Sequence, residues 1–207
     1  MNDLEKKQEL DSVRQEVLCC KQCRLCKTRT QAVPGEGDYN TSVLFVGEAP
    51  GAKEDVQGTP FCGAAGKFLN EMLHEINLER SQVFITNTVK CRPPENRDPE
   101  DDEKAACASY LAKQIEWIKP KLIVCLGRHA TASLLPGMPS ISQIHGKPLK
   151  RPNGIVYLPL YHPAAALHNG GLRSTLISDF LKIPLILNKI DESKKNETAR
   201  EAIIKLN

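Results

Sequence analysis

The sequence predicts an α/β fold, a three-layer α/β/α sandwich with a central, mainly parallel four-stranded sheet. Two observations predict it. Four short, continuous apolar runs are each bounded by turn signals, as for strands buried on both faces. Amphipathic segments long enough for helices separate them, and strand–helix alternation implies crossover connections and parallel pairing. Composition agrees: 41% hydrophobic and 26% charged residues over a length of 207 are ordinary for a globular chain that builds a core without disulfides.

Residues 3–18 read as a helix with Leu4, Leu10, Val13 and Val17 on one side. A cysteine-rich segment follows, then a polar turn region, PGEGD, at residues 34–38. Residues 42–47 form the first strand. Residues 63–76 form a helix with Phe68, Leu69, Met72, Leu73 and Ile76 apolar, and residues 83–89 the second strand. Asp98 is the expected N-cap of a helix with Pro99 at its first position, running to Ile118. Residues 121–127 are the third strand, 128–135 a short helix and 155–160 the fourth strand. A last helix spans 172–187, with a break expected at Pro184. Residues 1–190 are expected to form one domain. Residues 191–207 are expected to form a polar tail with a short helix over 199–206.

Several function classes are excluded. The longest apolar runs, such as LIVCL at 122–126, fall far short of the ~18 residues of a membrane span. The N-terminal MNDLEKKQELDSVRQEV has no apolar region of a secretory signal, so an intracellular, cytoplasmic protein is expected. A net charge of +3 does not by itself indicate nucleic acid, but it permits a local basic face. GAAGK at 63–67 resembles the end of a P-loop, yet Phe68 stands where serine or threonine is needed and Phe61 where the first glycine belongs.

Eight cysteines are too many for packing alone, and a reducing compartment disfavours disulfides. Cys20 and Cys23 form one CxxC, which Cys23 and Cys26 overlap with another. Such spacing turns two thiolates onto one centre, and Cys91 and Cys107 are the natural completing pair for zinc or an iron–sulfur cluster. Spacing does not choose between the two, nor does it exclude Cys19 or Cys26. Cys125, inside KLIVCLG, reads as a buried core thiol.

Ligands of parallel sheets bind at the carboxyl ends of the strands. There the sequence places GEAPGAKED (47–55), TNTVKCR (86–92) and YHP (161–163). A carboxylate, an amide and an imidazole would thus converge, a set suited to hydrolytic or lyase chemistry on a small polar ring.

Taken in order, GEAPGAKED, PFCGAAGKFLN, ITNTVKCRPPENRDP and YHPAAAL resemble the family-4, iron–sulfur uracil-DNA glycosylases of the uracil-DNA glycosylase superfamily. CKQCRLCKTRT followed by VPGEGD extends the resemblance upstream, so it covers roughly Cys20 to Phe180. The resemblance implies a [4Fe–4S] cluster on Cys20, Cys23, Cys91 and Cys107, with Cys19 and Cys26 as spare thiols. It implies a monofunctional enzyme of base-excision repair that flips uracil out of single- or double-stranded DNA and hydrolyses its glycosidic bond. Phe61 would stack on the base and Asn87 read it. His162 would donate to uracil O2. Glu48 would orient water, with Glu54 and Asp55 as alternates. Gly47 and Ala49 would border the base, and Glu54 would help exclude thymine. Lys90, Arg92, Arg97 and the segment from His145 to Arg151, Lys147 included, are candidate phosphate donors. Leu167 is either a wedge into the gap left by the base or a buried helix leucine.

A monomer is expected, and nothing in the sequence assigns a sliding-clamp contact. Two rivals remain at this level: a non-catalytic iron–sulfur protein that binds DNA or senses redox state, and a zinc-stapled hydrolase of free nucleotides. The joint presence of Glu48, Asn87 and His162 opposes the first.

Overall fold

The computed structural model describes residues 2–167 and 169–204, with side chains to residue 196. Its strands are β1 (Glu36–Gly37), β2 (Val43–Gly47), β3 (Phe84–Asn87), β4 (Leu122–Leu126), β5 (Leu149–Lys150) and β6 (Val156–Leu160). They form a single sheet in the order β1-β3-β2-β4-β6-β5. The four inner strands are parallel and β1 and β5 pair antiparallel at the edges. The sheet therefore has six strands rather than the four expected. The two additions are only two residues long, too short to carry an alternating pattern.

Every residue of β2, β3, β4 and β6 is buried, which explains their unbroken apolar runs. The period of two still sorts them. Val43 and Phe45 join Ile85, Val124 and Leu158 on one face, against Phe68, Leu69, Met72 and Leu73 of helix α3 (Ala64–Glu75). Leu176 and Phe180 of α8 (Gly170–Phe180) and Ile183, Ile186 and Ile190 of α9 (Ile183–Ile204) complete that layer. Leu44, Val46, Ile123, Cys125 and Tyr157 face the other way. They pack on Leu10 of α1 (Asp3–Leu18), Leu111 and Ile118 of α4 (Asp101–Ile118) and Ala130 of α5 (Arg128–Leu134). Each large side chain buried in these layers contributes about 1.5–3 kcal/mol. Short helices α2 (Ala52–Gln57), α6 (Ile141–Ile144) and α7 (Pro163–Ala166) lie in connections.

Helix ends differ from expectation in two places. The cap of α4 is Glu100, which forms a reciprocal capping box with Glu103, so Asp98 is free for another use. The last helical region breaks at Leu181–Lys182, before Pro184, because proline is tolerated in the first turn of α9. That helix continues through the stretch expected to be a tail. Residues 205–207, which include the end of the short helix expected at 199–206, lie outside the described residues. Among the described residues no helix is long and apolar enough to cross a membrane.

From β2 the chain moves to β3 on one side and then to β4 on the other. The carboxyl ends of β2 and β4 thus flank the point where strand order reverses, and in open α/β sheets the ligand crevice opens there.

Candidate active site

Parallel register sets Gly47 directly beside Asn87 at the ends of β2 and β3. Beyond them the chain stays pinned: Thr88 N donates to Gly47 O at 2.9 Å, and Thr88 Oγ1 to Glu48 O at 2.7 Å. A cavity of about 330 Å³ opens at this edge, and Glu48, Gly51, Glu54, Phe61, Asn87 and His162 all line it. The sheet therefore brings together the carboxylate, amide and imidazole singled out in the sequence.

Asn87 is 2% exposed, and its Oδ1 is buried without a hydrogen-bond partner. Buried acceptors are rarely left so. A Cβ on residue 47 would lie 2.4 Å from this oxygen and 2.6 Å from Phe61 Cζ, so only glycine lets reader and aromatic ring approach each other.

Phe61 holds a left-handed φ of 50°, a conformation that favours glycine. Its loop is over-determined. Arg80 donates to Phe61 O at 3.3 Å and to Pro60 O, and is itself held by Glu36 at 2.6 Å. Glu54 Oε1 accepts from Cys62 N at 3.0 Å and Gly63 N at 2.9 Å, while its Oε2 lies over Gly51. Glu54 is thus a loop clamp at the cavity wall. Asp55 is buried and accepts from Thr30 N at 3.0 Å through both carboxylate oxygens, a structural use that sets it apart from the cavity.

The Phe61 and His162 rings lie 5.5 Å apart at 27°. His162 Nδ1 accepts from Ala164 N at 3.1 Å, so the ring carries its proton on Nε2. Burial pushes the imidazole down to about 4, against the opposite pull of Glu54, so the ring is neutral at pH 7. Burial and the nearby Asp98 push the Glu48 carboxyl the other way, up to about 7.

Three contributors escaped the sequence reading: Asp98, His129 and the Arg80 described above. Asp98 lines the cavity instead of capping α4, and His129 at the start of α5 lines an adjoining cavity that shares Glu48, Asp98 and His162 with it. His129 Nε2 lies 3.1 Å from Asp98 Oδ2 and 3.7 Å from Glu48 Oε1. That nitrogen accepts from Arg128 Nε at 2.8 Å, and the same guanidinium donates to Asp98 Oδ2 at 3.2 Å, so Arg128 ties His129 and Asp98 together beside Glu48. The one available signal was position: LGRHA follows a strand end as directly as GEAPG does. Arg80 had no signal.

The cysteine site lies behind the cavity. Cys91 and Cys107 are buried, with Cys20 and Cys23 packed against the same cluster beside Val13, Val17, Leu25 and Tyr110. Ala49 lines the cavity and also touches this cluster, joining the two sites. Arg29 donates to Cys91 Sγ at 2.8 Å and to Cys20 O at 2.8 Å, placing a cation where thiolate charge would gather. Four thiols with a guanidinium counter-charge are a donor set that suits an iron–sulfur group. Cys19 is exposed and Cys26 partly so, while Cys125 is buried in the sheet.

The expected phosphate donors divide. Lys90 is a correction: it is 1% exposed, and its Nζ reaches Thr86 Oγ1, Asn87 O and Gln114 Oε1, so it cannot touch DNA. Burial pushes its ammonium down to about 7, opposed by Cys107. Arg97 is committed to Glu103 through two bonds of 2.9 and 2.7 Å, and His145 pairs with Asp179 at 2.6 Å. Arg92, bonded to Asn96 at 2.8 Å, and the exposed Lys147 remain at the surface. Leu167 is 38% exposed just after α7 and is not a buried helix leucine.

An α/β sandwich with an amide, a neutral imidazole and a carboxylate around one cavity suits a class that handles a planar polar ring. Comparison with known proteins names it. The family model described as the uracil DNA glycosylase superfamily matches residues 34–182. The type-4 uracil-DNA glycosylase of Sulfurisphaera tokodaii is 53% identical over 182 residues, covering 84% of this chain and 83% of that protein. The type-4 enzymes of Archaeoglobus fulgidus and Thermotoga maritima are 44% and 40% identical, covering 88% and 87% of this chain and 95% of each relative. The chain belongs to the uracil-DNA glycosylase superfamily and, within it, to the type-4 family.

Proposed function

We propose that this chain is a monofunctional uracil-DNA glycosylase of DNA repair, in which Asn87 reads the base while His162 and Glu48 act on the bond. The unpartnered Asn87 Oδ1 carries the assignment of the base. It needs a donor in the plane of a ring stacked on Phe61, and uracil N3–H supplies one while the Asn87 NH2 donates to O4. Cytosine has no hydrogen on N3 and a donor at position 4, so both bonds fail. A site built around such bonds rejects the analogue by ~10⁴–10⁵. Glu54, held over Gly51, crowds the space that a 5-methyl group would need.

The target must first leave the stack, at a cost of a few kcal/mol that is least for mismatched or single-stranded DNA. Arg92 and Lys147 meet phosphates, and Leu167 fills the vacated space. The C1′–N1 bond then breaks with its electron pair passing to the base, and charge gathers on O2. His162 Nε2–H donates to that oxygen as a neutral group. Water adds to C1′ and gives its proton to the Glu48 carboxylate. The uracil anion then takes up a proton, which Glu48 gives back, and the products are free uracil and an abasic site, with the strand intact.

Cys20, Cys23, Cys91 and Cys107 would hold a [4Fe–4S] cluster, whose contribution is structural. It would join the segment after α1, the loop after β3 and helix α4 into one body. Cys20 and Cys23, Cys91, and Cys107 come from those three parts in turn, which supports this reading.

The test uses anaerobically purified protein and a labelled oligonucleotide with a single uracil, followed by alkali. Cleavage at uracil only after alkali, much slower for His162→Ala, is expected. DNA binding by cluster-loaded protein without any cleavage would instead indicate a sensing or binding protein.

A further inference from the structure

We propose that Lys90 is a positioning residue whose buried side chain carries the backbone of Asn87 and links the base reader to the cysteine site. The inference rests on the uracil reading above and goes beyond it by assigning a use to a residue that meets neither base nor DNA.

Lys90 Nζ has three acceptors at hydrogen-bond distance: Thr86 Oγ1 at 2.6 Å, Asn87 O at 2.7 Å and Gln114 Oε1 at 2.7 Å. An ammonium has three N–H donors, so the set is filled with none to spare. No carboxylate is among these partners. A lysine buried this deeply is uncommon, and an apolar residue of the same length would pack there without desolvating a charge. The arrangement makes sense if a polar group must be held, and that group is the main-chain carbonyl of the last residue of β3.

The brace is anchored on both sides. Gln114 of α4 donates to Pro34 O at 2.7 Å, and Thr86 Oγ1 reaches the same oxygen at 3.1 Å. In the other direction Cys91 follows immediately in the chain, in the same buried cluster as Cys107 and with its sulfur on Arg29. Residues 87–91 therefore have the base reader at one end and a candidate cluster ligand at the other, with the Lys90 side chain on the first and its main chain joined to the second. Because Asn87 Oδ1 has no partner of its own, the backbone sets its direction. A shift of about 1 Å at such a group costs on the order of 100-fold in a positioned reaction. DNA affinity is set elsewhere, at surface cations, so base recognition and DNA binding should separate.

Lys90→Met and Gln114→Met are compared with wild type as full-length, anaerobically purified chains. Three quantities are read: inhibition by free uracil, affinity for DNA carrying an abasic site, and iron content. The uracil inhibition constant should rise on the order of 10-fold in Lys90→Met and about 3-fold in Gln114→Met, with abasic-DNA affinity within about twofold of wild type. If Lys90→Met does not fold, Gln114→Met decides alone, since it leaves Lys90 in place and removes one anchor distant from the base. A soluble, iron-loaded variant inhibited by uracil like wild type overturns the role. Wild-type protein that neither excises uracil nor is inhibited by it overturns the assigned activity instead, and this role with it.

Discussion

The Asn87 carboxamide oxygen occupies the space that a side chain at Gly47 would need, 2.4 Å from where its Cβ would stand. Pairing of β2 with β3 fixes the two backbones side by side, so the contact is relieved only by moving the Asn87 and Phe61 side chains. Gly47→Ala should displace Asn87 and Phe61 while leaving the sheet folded. Single-turnover excision should fall at least ~10²-fold with an unchanged far-UV circular dichroism spectrum. Wild-type rates would show that the reader tolerates displacement.

Asn87→Asp replaces the O4 donor by an acceptor. Excision of uracil should slow, and discrimination against cytosine should drop from ~10⁴–10⁵ to below about 10². The measurement is the ratio of kcat/KM on matched oligonucleotides that differ only at the target base. An unchanged ratio would assign base reading to another group.

His162→Ala removes the donor to the leaving base. A loss of ~10²–10³ in kcat is expected with little change in KM, because the bond strengthens only as charge develops on O2. Its neutral state at pH 7 follows from burial, which holds the imidazole down at about 4. His162 itself should therefore impose no loss of activity above about pH 5.

Glu48 should set the acid limb. Its carboxyl stands at about 7 and must be ionised to accept the proton of water. As pH falls below that value the ionised fraction drops about tenfold per unit, and kcat should fall with it. The negative charge of Asp98 raises the Glu48 value, whereas Arg128 and Lys104 oppose it. Asp98→Asn should thus move the midpoint of the kcat profile to lower pH. A midpoint that stays in place or rises would contradict a direct link between these two carboxylates.

Cys107→Ala should lose iron and solubility together, because α4 is the third part joined at the cysteine site. Iron content, absorbance near 400 nm and the soluble fraction report on this. A soluble, fully active, iron-free variant would remove the structural role from the cluster.

The sequence by itself determined the four inner strands, the helices that cover them and the segments at the strand ends. These are local patterns. Burial on both faces makes β2, β3, β4 and β6 continuous apolar runs, and their carboxyl ends follow from chain direction. Glu48, Asn87 and His162 were legible for that reason. Only the tertiary structure decided what the polar residues beside them do. Lys90 lies in the same strand-end segment as Arg92, yet one is buried and the other is not. The difference depends on Gln114, 24 residues further on. Asp98 looked like a helix cap, but it meets Arg128 across 30 residues. Arg80 clamps a loop 20 residues back in the chain. A charged side chain carries no local mark of the acceptor it will find, and the two-residue edge strands carry too few residues to show a period. Such partners are assigned only when the sheet brings distant segments together.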